Sequence, residues 1–291
     1  MIRHIILTTA LFFHAAGTHA KDADDYRIAS ITSQLMLLQG KGGNIALQHG
    51  DDGILLVDSD YPERSEALLG RIEQLHRGKP LRYLINTHWH PDRTGLNSLL
   101  GQSTTIIAHE NVRLRLASQQ SWGQPERLIG PMATAGWPDI TYQQAIDLYF
   151  NGDRITITHY PGGHTDGDSV VHFIGQNVVH TGDLYVRDEF PAVDLLAGGN
   201  AIQLARNVAA LQATLDAETL IIPGRGELSN QIELARYTDM LESSIDSVRK
   251  LKILGMSLKQ VQQHGLDPKW ASWGKGRVDE KTWIALVYLS L

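Results

Sequence analysis

The stretch Thr87-His88-Trp89-His90-Pro91-Asp92-Arg93-Thr94-Gly95 decides the reading of this chain. Two histidines two apart project from the same side of an extended backbone. Where the chain turns, a carboxylate two residues further on can join them around one cation. The run before it, Leu81-Arg82-Tyr83-Leu84-Ile85-Asn86, is apolar enough for a buried strand. Together they read as a strand ending in a ligand-bearing loop, which is where α/β proteins place their chemistry.

Working outward, residues 30–39 and 43–48 read as short strands, and Asp51-Asp52-Gly53 as a hairpin turn. Residues 53–58 form a strand, and residues 63–77 a helix with Ala67, Leu68, Ile72 and Leu75 on one face. Residues 96–100 and 110–120 are helical, on either side of a β-rich 104–108. Residues 121–141 carry Trp122, Pro125, Pro131, Trp137 and Pro138 and read as a long loop, a candidate lid. Strands are expected at 146–149, 154–159, 169–174, 177–181 and 219–223. Helices are expected at 201–215, 231–252, 258–264 and 280–289. Two groups of strands, each followed by helices, fit two packed sheets with helices outside.

The 291 residues carry a net charge of −6 and no basic tract, which argues against nucleic acid as a partner. Arg3, an apolar run at 5–16 and Thr18-His19-Ala20 have the three-part layout of an export signal, with processing expected between Ala20 and Lys21. The apolar run is too short for a membrane span. Residues 1–20 are therefore expected to be a signal peptide. Residues 21–291 are expected to be a single domain with C-terminal helices, periplasmic or secreted, without a membrane anchor after processing. With no cysteine, neither disulfides nor a lipid-modified cysteine are expected. His4, His14 and His19 leave with the signal and drop out as ligands. Oligomeric state has no signal in the sequence.

Three later stretches extend the opening motif. Gly162-Gly163-His164-Thr165-Asp166-Gly167-Asp168 brings one imidazole in on a glycine turn. His180-Thr181-Gly182-Asp183 and Ile221-Ile222-Pro223-Gly224-Arg225-Gly226 are apolar strands running into glycine. Other candidates have plainer readings. His109, His159, His172 and His180 are expected to be structural, and Asp166 and Asp168 to stabilise a turn. Asp58 and Asp60 either cap a turn or support a ligand imidazole. Trp89 is expected in the core or a pocket wall. Trp122 and Trp137 are expected to cover substrate or to lie at an interface.

In order, HxHxD, GGHTxGD, TGD and PGxG, each at a strand end, resemble the metallo-β-lactamase-fold hydrolase superfamily from about Ser30 to about Lys252. The resemblance implies an α+β fold, an αββα sandwich of two mixed sheets flanked by helices, with a metal site at one edge between the sheets. His88, His90 and His164 match the family's three-histidine position, which suits tetrahedral zinc with one open place. Asp92 matches the carboxylate that binds a second metal or orients the water, and Asp183 the one that bridges two metals. The implied activity is attack of metal-bound hydroxide on a small-molecule carbonyl substrate, of the β-lactam, lactone or thioester class, with phosphoesters also open.

Two family positions are not filled. HxHxDH ends here in Arg93, and PGHG reads Pro223-Gly224-Arg225-Gly226. A guanidinium cannot ligate a metal, but it can pair with a carboxylate. Arg93, Arg225 or both are expected to stand where the second metal would be and to neutralise Asp92 and Asp183. One zinc per chain is then favoured, with a second metal possible. An arginine not spent on these aspartates, Arg225 in particular, could bind a substrate anion. Two alternatives follow from the same residues. One is a mononuclear iron enzyme of the persulfide-dioxygenase type using His88, His164 and Asp183; its relatives are intracellular, against the export signal. The other is a non-catalytic binding protein with a degraded second metal site, against which the intact histidine set argues.

Overall fold

The computed structural model describes residues 26–122 and 124–291; the expected signal peptide lies outside them. The larger sheet has seven strands: β1 (Arg27–Ser30), β2 (Leu35–Gln39), β3 (Asn44–His49), β4 (Ile54–Val57), β5 (Leu81–Ile85), β6 (Thr105–His109) and, at the far edge, β9 (Ile140–Tyr142). β1 to β4 pair antiparallel, and β4, β5, β6 and β9 pair parallel. β7 (Gln120–Trp122) and β8 (Gln124–Ile129) form a separate hairpin. The second sheet runs β10 (Ala145–Phe150), β11 (Asp153–His159), β12 (Ser169–Phe173), β13 (Val178–His180) and β14 (Leu220–Ile222), antiparallel except for the last pair.

The strands alternate, and the alternation builds the layers. In β3, Ala46 faces a core shared by both sheets, with Leu55, Val57, Ile157, Val171 and Ile222. Its neighbours Ile45 and Leu47 face the opposite way, toward Leu68 and Ile72 of α1 (Ser65–Leu75). The second sheet turns Val170, Val179 and Ile221 onto a third core. That core is closed by α5 (Ala201–Gln212), α6 (Gln231–Ile253), α7 (Leu258–His264) and α8 (Glu280–Ser290). The short helices α2 (Pro91–Thr94), α3 (Asn97–Leu100) and α4 (Glu110–Leu116) follow β5 and β6. The result is the expected αββα sandwich of two mixed sheets.

Two expectations are corrected. Residues 121–141 are not one loop: the β7–β8 hairpin and β9 take up much of the segment. Pro125 and the lack of polar–apolar alternation hid the hairpin, and β9 is only three residues added to a sheet edge by pairing with β6. The first strand also divides, because a turn at residues 31–34 folds β1 back on β2. No helix among the described residues is long and apolar enough to cross a membrane.

Candidate metal centre

The four motif loops leave the sheets at one edge. β12 begins where β13 ends, since the two are antiparallel, and β14 ends beside β13 in parallel register. The loop after β5 is tied to β12 by the Ser169 N–H donating to the Thr87 carbonyl at 2.9 Å. His88 and His90 sit in that loop, and Pro91 starts α2 directly after His90, as its fixed φ favours at the first helical position. The Arg93 carbonyl accepts from the Ser59 amide and from Asn86 Nδ2, both at 3.0 Å, so the loop is anchored to β4 and β5.

His88, His90 and His164 are buried, and their candidate ligand atoms lie within 4.8 Å of one another. One nitrogen of each ring is held from behind. His164 Nδ1 lies 2.8 Å from the Ala192 carbonyl, and His90 Nε2 lies 2.9 Å from Asp194 Oδ2. Both partners only accept, so both nitrogens carry the hydrogen. His88 Nδ1 is 3.2 Å from Thr87 Oγ1, whose own hydrogen goes to Asp58 Oδ2 at 2.7 Å. The other three nitrogens present lone pairs. His90 Nδ1 and His164 Nε2 face each other at 3.0 Å, and His88 Nε2 is buried with no hydrogen-bond partner. Lone pairs aimed at one another, with the opposite nitrogens fixed, fit a cation at their common point. Burial, and then the neighbouring His164 and His90, hold the His88 pKa well below its ordinary value, so it stays neutral as a ligand must.

Asp92 and Asp183 stand beside this triad, each against an arginine. Arg93, fully buried, donates through Nη2 to Asp183 Oδ1 and, at 3.2 Å, to the Gly224 carbonyl. Its Nε lies 3.7 Å from Asp58 Oδ2. Arg225 Nη2 donates to Asp92 Oδ2. Burial opposes ionisation of Asp183, but Arg93 above all, and Arg225, hold its carboxyl well below the usual range. Burial lifts Asp58 to about 7 against the pull of Arg93. Gly43 makes room for this packing: its φ is +130°, and a Cβ there would come within 2.6 Å of Arg93 Nη1. Asn44 Nδ2 donates to the Pro223 carbonyl at 2.8 Å and fixes the turn that carries Arg225.

The remaining residues sort cleanly. Asp58 supports His88 through Thr87, whereas Asp60 caps the 41–42 turn through the Lys41 and Gly42 amides. Asp168 folds the His164 turn by accepting from the His164 amide and Thr165 Oγ1, both at 2.6 Å. Asp166 pairs with Arg115 through both oxygens. His180 bridges the Asn44 carbonyl and the Gly182 amide, and His172 lies mid-strand in β12. His109 caps α4 and stacks on His159 at 3.6 Å. Trp89 is buried, and the Trp137 Nε1–H donates to the Met132 carbonyl; both rings pack in a small cluster with Val112 and Leu116. Pro125 of β8 lines the cavity at the histidines, and Trp137 does not. Sequence reasoning missed Asp194, which no spacing marks, and Arg277, whose Nη1 reaches to 3.9 Å from Asp92 Oδ2 from beyond all four motifs.

A family model described as the metallo-beta-lactamase superfamily matches residues 38–225. Among solved structures, DIM-1 metallo-beta-lactamase is 19% identical with a TM-score of 0.61, over 76% of this chain and 98% of that one. A metallo-beta-lactamase from Pontibacter korlensis is 20% identical with a TM-score of 0.59, over 75% and 99%. The inverting sec-alkylsulfatase Pisa1 from Pseudomonas sp. is 16% identical with a TM-score of 0.68, over 90% of this chain and 50% of that one; the chain spans half of its length. At these identities the likeness is one of fold.

Proposed function

The chain belongs to the metallo-beta-lactamase superfamily, and on that premise we propose that it is an exported, mononuclear zinc hydrolase acting on a small carbonyl-type substrate, a β-lactam, lactone or thioester. The observation that carries this reading is the convergence of three imidazole lone pairs beside two aspartates that already have arginine partners. His88, His90 and His164 would hold the metal. Three neutral nitrogens with one open place suit zinc. Zinc held there supplies an acidified water and a Lewis acid for the carbonyl.

The protein residues have separate tasks. Asp58, through Thr87, and Asp194 and the Ala192 carbonyl, directly, orient the three rings. Arg93 and Arg225 cancel the charges of Asp183 and Asp92, which in a two-metal site the second cation would do. Asp92 lines the cavity and can accept a proton from an attacking water, with Arg225 steadying its other states. The iron alternative is less well supported, because Asp183 commits Oδ1 to Arg93. The test is a panel of lactams, lactones and thioesters on the zinc-loaded protein and on H88A. Hydrolysis of one class that disappears in H88A supports the reading. Activity unchanged in H88A, or restored better by iron with oxygen uptake, overturns it.

A further inference from the structure

The cavity at the histidines has a volume of about 450 Å³, and its walls are unlike. His90, His164, Asp92 and Asp183 form one part. Another is apolar, made by Val193, Leu195, Leu196, Leu286 and Leu289. Leu196 is 52% exposed and Leu289 64%, an exposure that folding alone does not require. Leu286 and Leu289 come from α8, outside the region of the family match, so this part of the wall is supplied by the C-terminal helix of this chain.

Arg277 lines the same cavity from the segment before α8. Buried Trp273 and Val278 pin that segment on either side. The Arg277 side chain is 47% exposed, and its nearest carboxylate oxygen, on Asp92, is 3.9 Å away and already taken by Arg225. Its charge is therefore largely unspent. Arg93 with Asp183 and Arg225 with Asp92 cancel in pairs, which leaves Asp194, beside a neutral His90, as the one negative charge against Arg277 among the described residues of the cavity. A divalent cation on the three neutral imidazoles leaves the cavity net positive, which favours an anionic guest.

We propose that the cavity binds an amphiphilic anion, with an aliphatic chain along the leucine wall and the anionic group on Arg277. This specifies the substrate class of the hydrolase reading and rests on it: the bond to be cleaved would lie between these two anchors, at the histidines. Arg277 is then a specificity-determining residue, and Leu289 the exposed end of the chain's path.

The probes are octanesulfonate, which resists hydrolysis and is a weak metal ligand, octanol, which lacks the charge, and methanesulfonate, which lacks the chain. Calorimetric titration of the zinc-loaded full chain should show octanesulfonate binding at least about tenfold more tightly than either of the others. R277Q should weaken octanesulfonate by about tenfold and leave octanol unchanged, with R277K recovering part of the loss. Leu289→Ser, at an exposed position that leaves the fold intact, should weaken octanesulfonate and octanol by about threefold each and spare methanesulfonate. The proposal is overturned if R277Q binds octanesulfonate as wild type does, or if methanesulfonate binds as well as octanesulfonate. The readout needs no turnover. Failure of the hydrolase reading shows instead in metal content and the substrate panel, so the two failures are distinguishable.

Discussion

Replacing Arg93 by methionine tests the electrostatic frame of the site. The wild-type guanidinium is fully buried, hydrogen-bonded to Asp183 and 3.7 Å from Asp58. Methionine fills similar volume without charge, so the main loss is the cation that two buried carboxyls share. Breaking a buried pair from one side costs about 3–5 kcal/mol, because the partner charge is left uncompensated. At about 2–4 °C per kcal/mol for a protein of this size, the melting temperature should fall by roughly 10 °C. The sign with pH follows from Asp183. Its folded pKa is depressed well below 3.8, so its contribution is present above 3.8 and is lost only as pH falls through the folded value. In R93M the largest part of that depression is lost, and burial pushes the Asp183 carboxyl toward holding its proton. The deficit relative to wild type should therefore shrink as pH falls from 7 toward 5. Urea unfolding of both proteins at pH 7.5 and pH 5, at matched metal content, reads this directly. A deficit below about 1 kcal/mol, or one that does not change with pH, would refute the shared-cation account.

Three further outcomes follow. D194N should lower metal affinity by roughly 10-fold to 100-fold in a chelator competition, because His90 loses its charged acceptor; unaltered affinity would show that Asp194 does not orient the ring. The double variant R93H/R225H should take up a second metal equivalent by elemental analysis, since it restores imidazoles beside Asp92 and Asp183; a stoichiometry still near one would mean that the arginines do not hold that position. His180, lowered by burial to about 4, binds its proton more weakly folded than unfolded, so stability should fall by up to about 3 kcal/mol as pH drops from 6.5 toward 4. H180Q should flatten part of that slope in urea unfolding, and an unchanged slope would assign it to other groups.

What the sequence made legible was the part written in local pattern. The alternation in β3 and the apolar runs of β4 and β5 could be read because each face of a strand meets a different core. The histidines could be read because strand-end loops kept their spacing. What could not be read depended on contacts across long separations. Asp194 lies 104 residues from His90, and its role exists only once the His164 loop and the segment after β13 fold together. Arg277 reaches the site through the packing of α8 on the second sheet's outer core. The Asp58 role had two readings from sequence, and only the position of Thr87 between it and His88 separates them. The β7–β8 hairpin pairs only with itself, so no larger periodicity announced it.

On the proposed reading, three histidines hold one metal while two arginines stand where a second would be. Elemental analysis of the purified protein, beside H88A and H164A, tests it most directly. About one zinc per chain, lost in both variants, is expected. About two metals per chain, or one that survives either substitution, would contradict it.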